Sequence, residues 1–218
     1  MTIRKTILAT GEVYHVLNRS VQKVPIFQGK RECNFFLEAM EYYLQVEPPV
    51  KFSLYKTNKD RFNFKMDENF LVKVIAYCLM PNHFHLILKQ LVEEGIKKYI
   101  QRLTNSFAHY YSKKYESSGH LFEGNFKAVR VGSDEQMWHL SRYIHLNPVS
   151  SYLVEEPEDY LFSSYKIYLA KEKSDFIDPS LIMGNFSSPA KYEAFVKNRK
   201  DYQRTLEEIK HFTLERER

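Results

Sequence analysis

This sequence is poor in the residues that staple, hinge or anchor a chain. It has two cysteines, one tryptophan, seven glycines and eight prolines in 218 residues. Two thiols, Cys33 and Cys78, make neither a disulfide framework nor a zinc knuckle, so a reducing cytoplasmic setting is the expectation. Long apolar runs are missing too. The greasiest stretch, Val74 to Met80, falls far short of the ~20 residues that span a bilayer. The opening Met1-Thr-Ile-Arg-Lys-Thr-Ile-Leu-Ala-Thr has no apolar signal-peptide core, so neither secretion nor a membrane partner is expected. No repeat period or low-complexity tract appears, which sets aside solenoids and propellers.

What remains is abundant in aromatics, with sixteen tyrosines and sixteen phenylalanines, 27% charged and 44% hydrophobic residues. A chain of this length buries roughly 70% of its unfolded surface, so a metal is not needed merely to fold it. Any metal would serve function. The formal charge of +5 and the pI near 9.0 suit a polyanionic partner but do not identify one.

Periodicity divides the chain into strands and helices. Gly11 to Asn18 alternates with period two and reads as a strand, and Arg31 to Val46 carries apolar residues at helical spacing up to the stop at Pro48-Pro49. Lys51 to Tyr55 reads as a short strand, and Thr57 to Asn69 as a polar loop or extended hairpin. Leu71 to Leu79 and His83 to Lys89 form a hairpin about Met80-Pro-Asn82. A long helix with a basic side covers Val92 to Tyr115, and a short strand covers Ala128 to Val131. Ser133-Asp-Glu-Gln136 has capping-box spacing, so a helix should run from there to a stop at Asn147-Pro148. Tyr152 to Tyr168 and a final polar helix from about Ser188 to Arg216 follow. The expectation is an α+β sandwich, with a largely antiparallel sheet and helices on one face. It divides into a main domain over residues 1–168 and a helical carboxy-terminal appendage over 169–218.

The sharpest chemical signal is Pro81-Asn82-His83-Phe84-His85-Leu86-Ile87-Leu88. Residues two apart on a strand share a face, so His83 and His85 project together, about 6 to 7 Å apart at Cα, where two imidazoles can share a metal. A catalytic divalent ion wants at least one further protein ligand. On the helix after Ser133, His139, Tyr143 and Asn147 form one polar stripe beside the apolar Met137, Leu140 and Ile144. The carboxamide of Asn147 can offer a metal an oxygen. The Tyr143 phenol is a poor nucleophile at neutral pH unless a cation bound to the scissile phosphate lowers the barrier to its attack. His15, on the first strand, reads equally as a core histidine or as a neighbour of this site.

Four blocks in order carry a resemblance: Tyr14-His-Val-Leu-Asn-Arg19, Ala76-Tyr-Cys-Leu-Met-Pro-Asn-His-Phe-His-Leu-Ile-Leu88, Gly119-His-Leu-Phe-Glu-Gly-Asn-Phe-Lys127 and Leu140-Ser-Arg-Tyr-Ile-His-Leu-Asn-Pro-Val149. From Gly11 to Tyr168 the chain resembles the REP-associated tyrosine transposases and the IS200-like single-tyrosine transposases with a His-hydrophobic-His motif. The resemblance implies a ferredoxin-like fold. It also implies an enzyme that cleaves and rejoins single-stranded or hairpin DNA by metal-assisted transesterification, with Mg²⁺ or Mn²⁺ as cofactor. By that likeness His83 and His85 match the metal-binding pair, Tyr143 matches the nucleophile that becomes joined to a 5′ phosphate, and Asn147 matches the polar residue that joins the metal shell. The chain departs from the family at Glu123 and Asn125, where Gln and Arg are more usual, which removes a positive charge from a loop that approaches DNA.

Expected DNA contacts are Arg19, Lys97, Lys98, Arg102, Lys127, Arg130 and Arg142, with tyrosines and phenylalanines as stacking surfaces for unpaired bases. The expected assembly is a monomer or homodimer. Two other readings stand beside this one. A domesticated protein could bind hairpin DNA or structured RNA without cutting it, and a small metal hydrolase would need a carboxylate base that the sequence does not put beside the histidines.

Overall fold

A computed structural model of the chain describes residues 7–59 and 69–198. Four strands, β1 (Val13–Arg19), β2 (Val72–Met80), β3 (His83–Gln90) and β4 (Lys127–Arg130), form one antiparallel sheet in the order β2-β3-β1-β4. Helix α1 (Lys30–Tyr42) joins β1 to β2, and α3 (Gly95–Tyr115) joins β3 to β4. This βαββαβ connection with the first strand central is the ferredoxin-like arrangement, so the α+β fold expected from the sequence is the fold found.

One face of the sheet carries the larger core. Tyr14, Val16, Val72, Val74, Leu79, Phe84, Leu86 and Leu88 pack there against Phe36, Ala39 and Met40 of α1 and Ile96, Leu103 and Phe107 of α3. Phe107 lies in contact with Phe27, Phe35, Phe36 and Phe122, a share of the aromatic excess that holds the two helices to the sheet. Gly95 opens α3 because nothing larger fits. A Cβ there would come within 2.2 Å of the Leu71 carbonyl oxygen.

The helices were expected on one face, and the two of the βαββαβ unit lie there. Helix α4 (Asp134–Ser150) covers the opposite face. A bulge in β2 between Val74 and Ala76 makes this possible, since the extra residue shifts the alternation and turns Ile75, Ala76, Cys78 and Met80 toward α4. They meet Met137, Leu140, Ile144 and Leu146 in a second core, closed by Tyr165 and Tyr168 of α5 (Tyr165–Tyr168), Ile182 of α6 (Ser180–Met183), and Tyr192 and Val196 of α7 (Pro189–Lys197). The same carboxy-terminal segment shields the free edge of β2. Leu79 N–H donates to the Phe162 carbonyl, Ser164 N–H to that of Tyr77, and Asp178 N–H to that of Val74.

Two local expectations are corrected. Lys51 to Tyr55 is not a strand, because residues 52–57 form helix α2 (Phe52–Thr57). Phe52 and Tyr55, three apart, fall on one helical face and pack on Tyr42, whose ring centroid lies 5.4 Å and 4.7 Å from theirs. Helix α4 does not stop at Asn147-Pro148 but carries Pro148 inside it, to Ser150. Pro148 forfeits only its own bond, to the Ile144 carbonyl, and the helix end beyond it is held by Ser151 and Leu153 N–H donating to the carbonyls of Asn147 and Pro148. Its start is as expected: Ser133 Oγ accepts from Gln136 N–H, and Gln136 Oε1 accepts from Gly132 N–H at 2.8 Å. Most of the polar loop expected over 57–69 and the end of the helix expected over 188–216 lie outside the described residues. No described helix is long and apolar enough to cross a membrane.

Candidate nuclease site

Strand parity puts His83, His85 and His15 on the sheet face that α4 covers. In the register, Arg19 stands opposite His83 and Leu17 opposite His85, while Leu17 is paired on its other side with Lys127. Residues paired across antiparallel strands share a face. Arg19 and Lys127 therefore flank the histidines on the same surface. From α4, Tyr143 sets its ring edge-on to His85 with 5.6 Å between centroids, and Asn147, one turn on, brings Nδ2 to 3.2 Å from His85 Nε2. The two histidine rings lie perpendicular, 4.8 Å apart.

The protons on these rings follow from the hydrogen bonds. Asn82 donates from Nδ2 to the Lys23 carbonyl, which turns its Oδ1 toward His83 Nδ1, 2.6 Å away. A carbonyl oxygen only accepts, so His83 carries its proton on Nδ1 and bears a lone pair on Nε2. That Nε2 is buried and without a partner among the described residues. At His85, the amide nitrogen of Asn147 only donates, so Nε2 is again the lone-pair nitrogen and the proton sits on Nδ1, facing His15 Nε2 at 2.9 Å. Both histidines of the motif thus present Nε2 unprotonated.

Burial keeps them neutral. It lowers His15 to about 4 and, with the charge of Arg19 and then His15, lowers His83 to about 3. His85, wholly buried, is held well below the ordinary histidine range by desolvation first and then by His83, His15 and Arg19. A neutral imidazole is the form that binds a metal. The fit is that of an oxygen-and-nitrogen site of low charge: an orphaned buried nitrogen at His83, a lone pair at His85, and an Asn147 amide that offers Oδ1 when turned over. Among the described residues no group of three or more His, Cys, Asp or Glu is placed to hold a metal ion.

Of the expected site residues, the fold brings together His83, His85, Tyr143 and Asn147, with Arg19 and Lys127 beside them. Tyr143 is 6% exposed. His139, on the same expected stripe, turns away to Arg142 and Phe195. The expected DNA contacts divide. Lys97, Lys98, Lys127 and Arg130 are exposed, Lys97 paired with Glu94 and Arg130 with Glu12. Arg102 instead donates to the carbonyls of Gln45 and Val46, beyond the end of α1. Arg142, expected on the DNA surface, is 2% exposed: it donates toward the Phe195 carbonyl, lies 4.5 Å over the Phe195 ring and meets His139, so it fastens α7 to α4. Sequence reasoning gave no part to Asn82, although its place directly before His83 in a tight turn was the available signal, and it left His15 undecided.

Comparison with known proteins gives a family match and a likeness of fold. Residues 55–147 match the family model described as IS200-like transposase. A solved REP-associated tyrosine transposase bound to a REP hairpin superposes with a TM-score of 0.56 at 13% identity, over 82% of this chain and 94% of that one, a likeness of fold. No curated protein matches the chain. The segment that holds the histidine pair, Tyr143 and Asn147 is thus similar to the IS200-like transposases, and the chain as a whole shares the fold of the REP-associated tyrosine transposase.

Proposed function

We propose that this protein cleaves and rejoins one strand of single-stranded or hairpin DNA through a covalent phosphotyrosine. The observation that carries the reading is the meeting at His85 of the Tyr143 ring and the Asn147 amide, beside the bare Nε2 of His83. The family match over residues 55–147 supports transposition as the setting, and the hairpin held by the fold neighbour supports hairpin DNA as the substrate class.

His83 Nε2, His85 Nε2 and Asn147 Oδ1 would hold a divalent Mg²⁺ or Mn²⁺, which when bound supplies Lewis-acid polarisation of a phosphate oxygen. Arg19, across the strand from His83, adds fixed positive charge where the phosphodiester would lie. The Tyr143 hydroxyl oxygen attacks phosphorus, a bond from Oη to phosphorus forms, and the bond from phosphorus to O3′ breaks. The phenolic proton is balanced by the proton gained at O3′, which leaves as a free hydroxyl. Reversal by an incoming 3′ hydroxyl rejoins the strand without ATP, because the phosphodiester energy is kept in the tyrosyl linkage. Lys127 on the flanking strand and the exposed basic side of α3 would bind the backbone.

The test is a hairpin-bearing oligonucleotide incubated with protein and Mn²⁺, read as a covalent adduct on denaturing gels. Wild type gives an adduct that EDTA prevents, Tyr143→Phe gives none while binding is kept, and His85→Ala loses both metal dependence and cleavage. An adduct that persists in Tyr143→Phe would move the nucleophile elsewhere, first to Tyr110 or Tyr111. The burial of Tyr143 favours a second reading, a domesticated protein that binds hairpin DNA or structured RNA without cutting. Chelator-insensitive binding with no nicking on any substrate would establish it.

A further inference from the structure

His15 lies beneath the proposed metal site without belonging to it. It is 1% exposed, on the central strand β1, with its ring stacked on that of His85 at 5.2 Å between centroids and 15° between planes. Its Nε2 is 2.9 Å from His85 Nδ1, and its Nδ1 is buried without a partner among the described residues. An ordinary core histidine would satisfy both nitrogens, as His145 does with Tyr192 and Ser164. At His15 one nitrogen is left bare so that the other can face His85.

We infer that His15 is a positioning residue that accepts the Nδ1 proton of His85 in a hydrogen bond and so locks His85 with its Nε2 lone pair turned toward Asn147. The reading rests on the proposed metal site, and it deepens it by naming what holds one ligand in its binding tautomer. A free imidazole in water favours the proton on Nε2, the form that cannot bind a metal through that atom. In the folded protein the chain of bonds is directional. Asn147 Nδ2 donates to His85 Nε2, His85 Nδ1 donates to His15 Nε2, and His15 keeps its own proton on the bare Nδ1. Reversing the last bond would place a proton on His85 Nε2 against the Asn147 N–H, two donors face to face. His83 is served in the same way by Asn82, whose side-chain oxygen is fixed by Lys23. Each ligand histidine thus has a separate outer partner, a backbone-anchored amide for the one and a stacked imidazole for the other.

Two substitutions separate the hydrogen bond from the packing. His15→Phe keeps a stacked ring and removes the acceptor, whereas His15→Gln restores an acceptor oxygen near the Nε2 position and gives up the stack. Long-range ¹H–¹⁵N correlation of the imidazoles in metal-free protein at neutral pH reads the tautomer without reference to any bound ion. The expectation is Nδ1–H at His85 in wild type and His15→Gln, and Nε2–H in His15→Phe, where nothing accepts from Nδ1 and the Asn147 amide turns its Oδ1 to His85 Nε2. Mn²⁺ titration should then give affinity about 10–100-fold weaker in His15→Phe and within about threefold of wild type in His15→Gln. Cooperative thermal unfolding of each variant establishes that it is folded. An Nε2–H tautomer at His85 in wild type, or an Nδ1–H tautomer in His15→Phe, overturns the inference, as does equal loss of Mn²⁺ affinity in both variants. Failure of the metal reading looks different: the tautomers would follow expectation while wild type took up no Mn²⁺.

Discussion

Four desolvated imidazoles, three of them buried, make the metal-free protein acid-labile above the pH at which carboxylates titrate. In the unfolded chain each histidine takes up a proton near pH 6.5, whereas burial holds His15 at about 4, His83 and His145 at about 3, and His85 well below its usual range. Between pH 6.5 and about 4 the unfolded state therefore binds more protons than the native one, and unfolding free energy rises with pH by about 1.4 kcal/mol per unit for each such group. The stabilisation is fully present above pH 6.5 and is lost as the pH falls toward the native values. From pH 7 to pH 5 each imidazole accounts for about 2 kcal/mol, and with some relief for His83, which is only half-buried, the set costs roughly 5–8 kcal/mol. A domain of this size has about 5–15 kcal/mol in all, so most of its stability should go. Urea unfolding followed by circular dichroism at pH 7, 6 and 5 in EDTA measures this directly. His15→Phe should reduce the slope by about 1.4 kcal/mol per pH unit, one proton's worth. A urea midpoint that does not move between pH 7 and pH 5 would refute the neutral, desolvated histidine cluster on which the site's chemistry is argued.

Gly95→Ala should destabilise the fold by about 2–4 kcal/mol in the same urea assay, because the new methyl would sit 2.2 Å from the Leu71 carbonyl oxygen and backbone must move to admit it. The expected DNA cations should separate by salt dependence. Lys127→Ala should lower the slope of log binding constant against log salt by about one while leaving stability unchanged; an unaltered slope would remove Lys127 from the DNA surface. Arg142→Ala should do the reverse, leaving the slope alone and costing about 2–3 kcal/mol as α7 loses its hold on α4.

The elements that the sequence made legible are those whose pattern is long or doubly constrained. β2 and β3 are near-continuous apolar runs about a Pro81-Asn82 turn, and α3 repeats its apolar residues over five turns, so both could be read from period alone. Helix α2 could not, since in six residues Phe52 and Leu54 fit the alternation of a strand as well as Phe52 and Tyr55 fit a helix, until Tyr42 and Phe35 supply the surface that Phe52 and Tyr55 pack on. The bulge at Ile75 was invisible for a related reason: an extra residue in an apolar strand changes which side chains face α4 without changing the composition of the run. The helix through Pro148 was misread because the proline rule holds for helix interiors and weakens in the last turn, where the carbonyls have other donors.

At the site, pattern carried the argument wherever backbone geometry alone sets direction, and failed where tertiary neighbours decide. His83 and His85 share a face because strands alternate, and Tyr143 and Asn147 share one because four residues make about a turn; both follow from the chain itself. Whether a given arginine meets solvent does not. Arg142 lies one residue before Tyr143, and nothing in its spacing tells it from an exposed cation; it is taken inside by Phe195, more than fifty positions away. Arg19 and Lys127 stand on the histidine face only because β1 pairs with both β3 and β4, a register that the sequence of no one strand contains. The same register explains His15. Its place on the face was readable by parity, but its partner was not, since only the pairing of β1 with β3 brings a second imidazole under His85 and turns a core histidine into part of the site's proton arrangement.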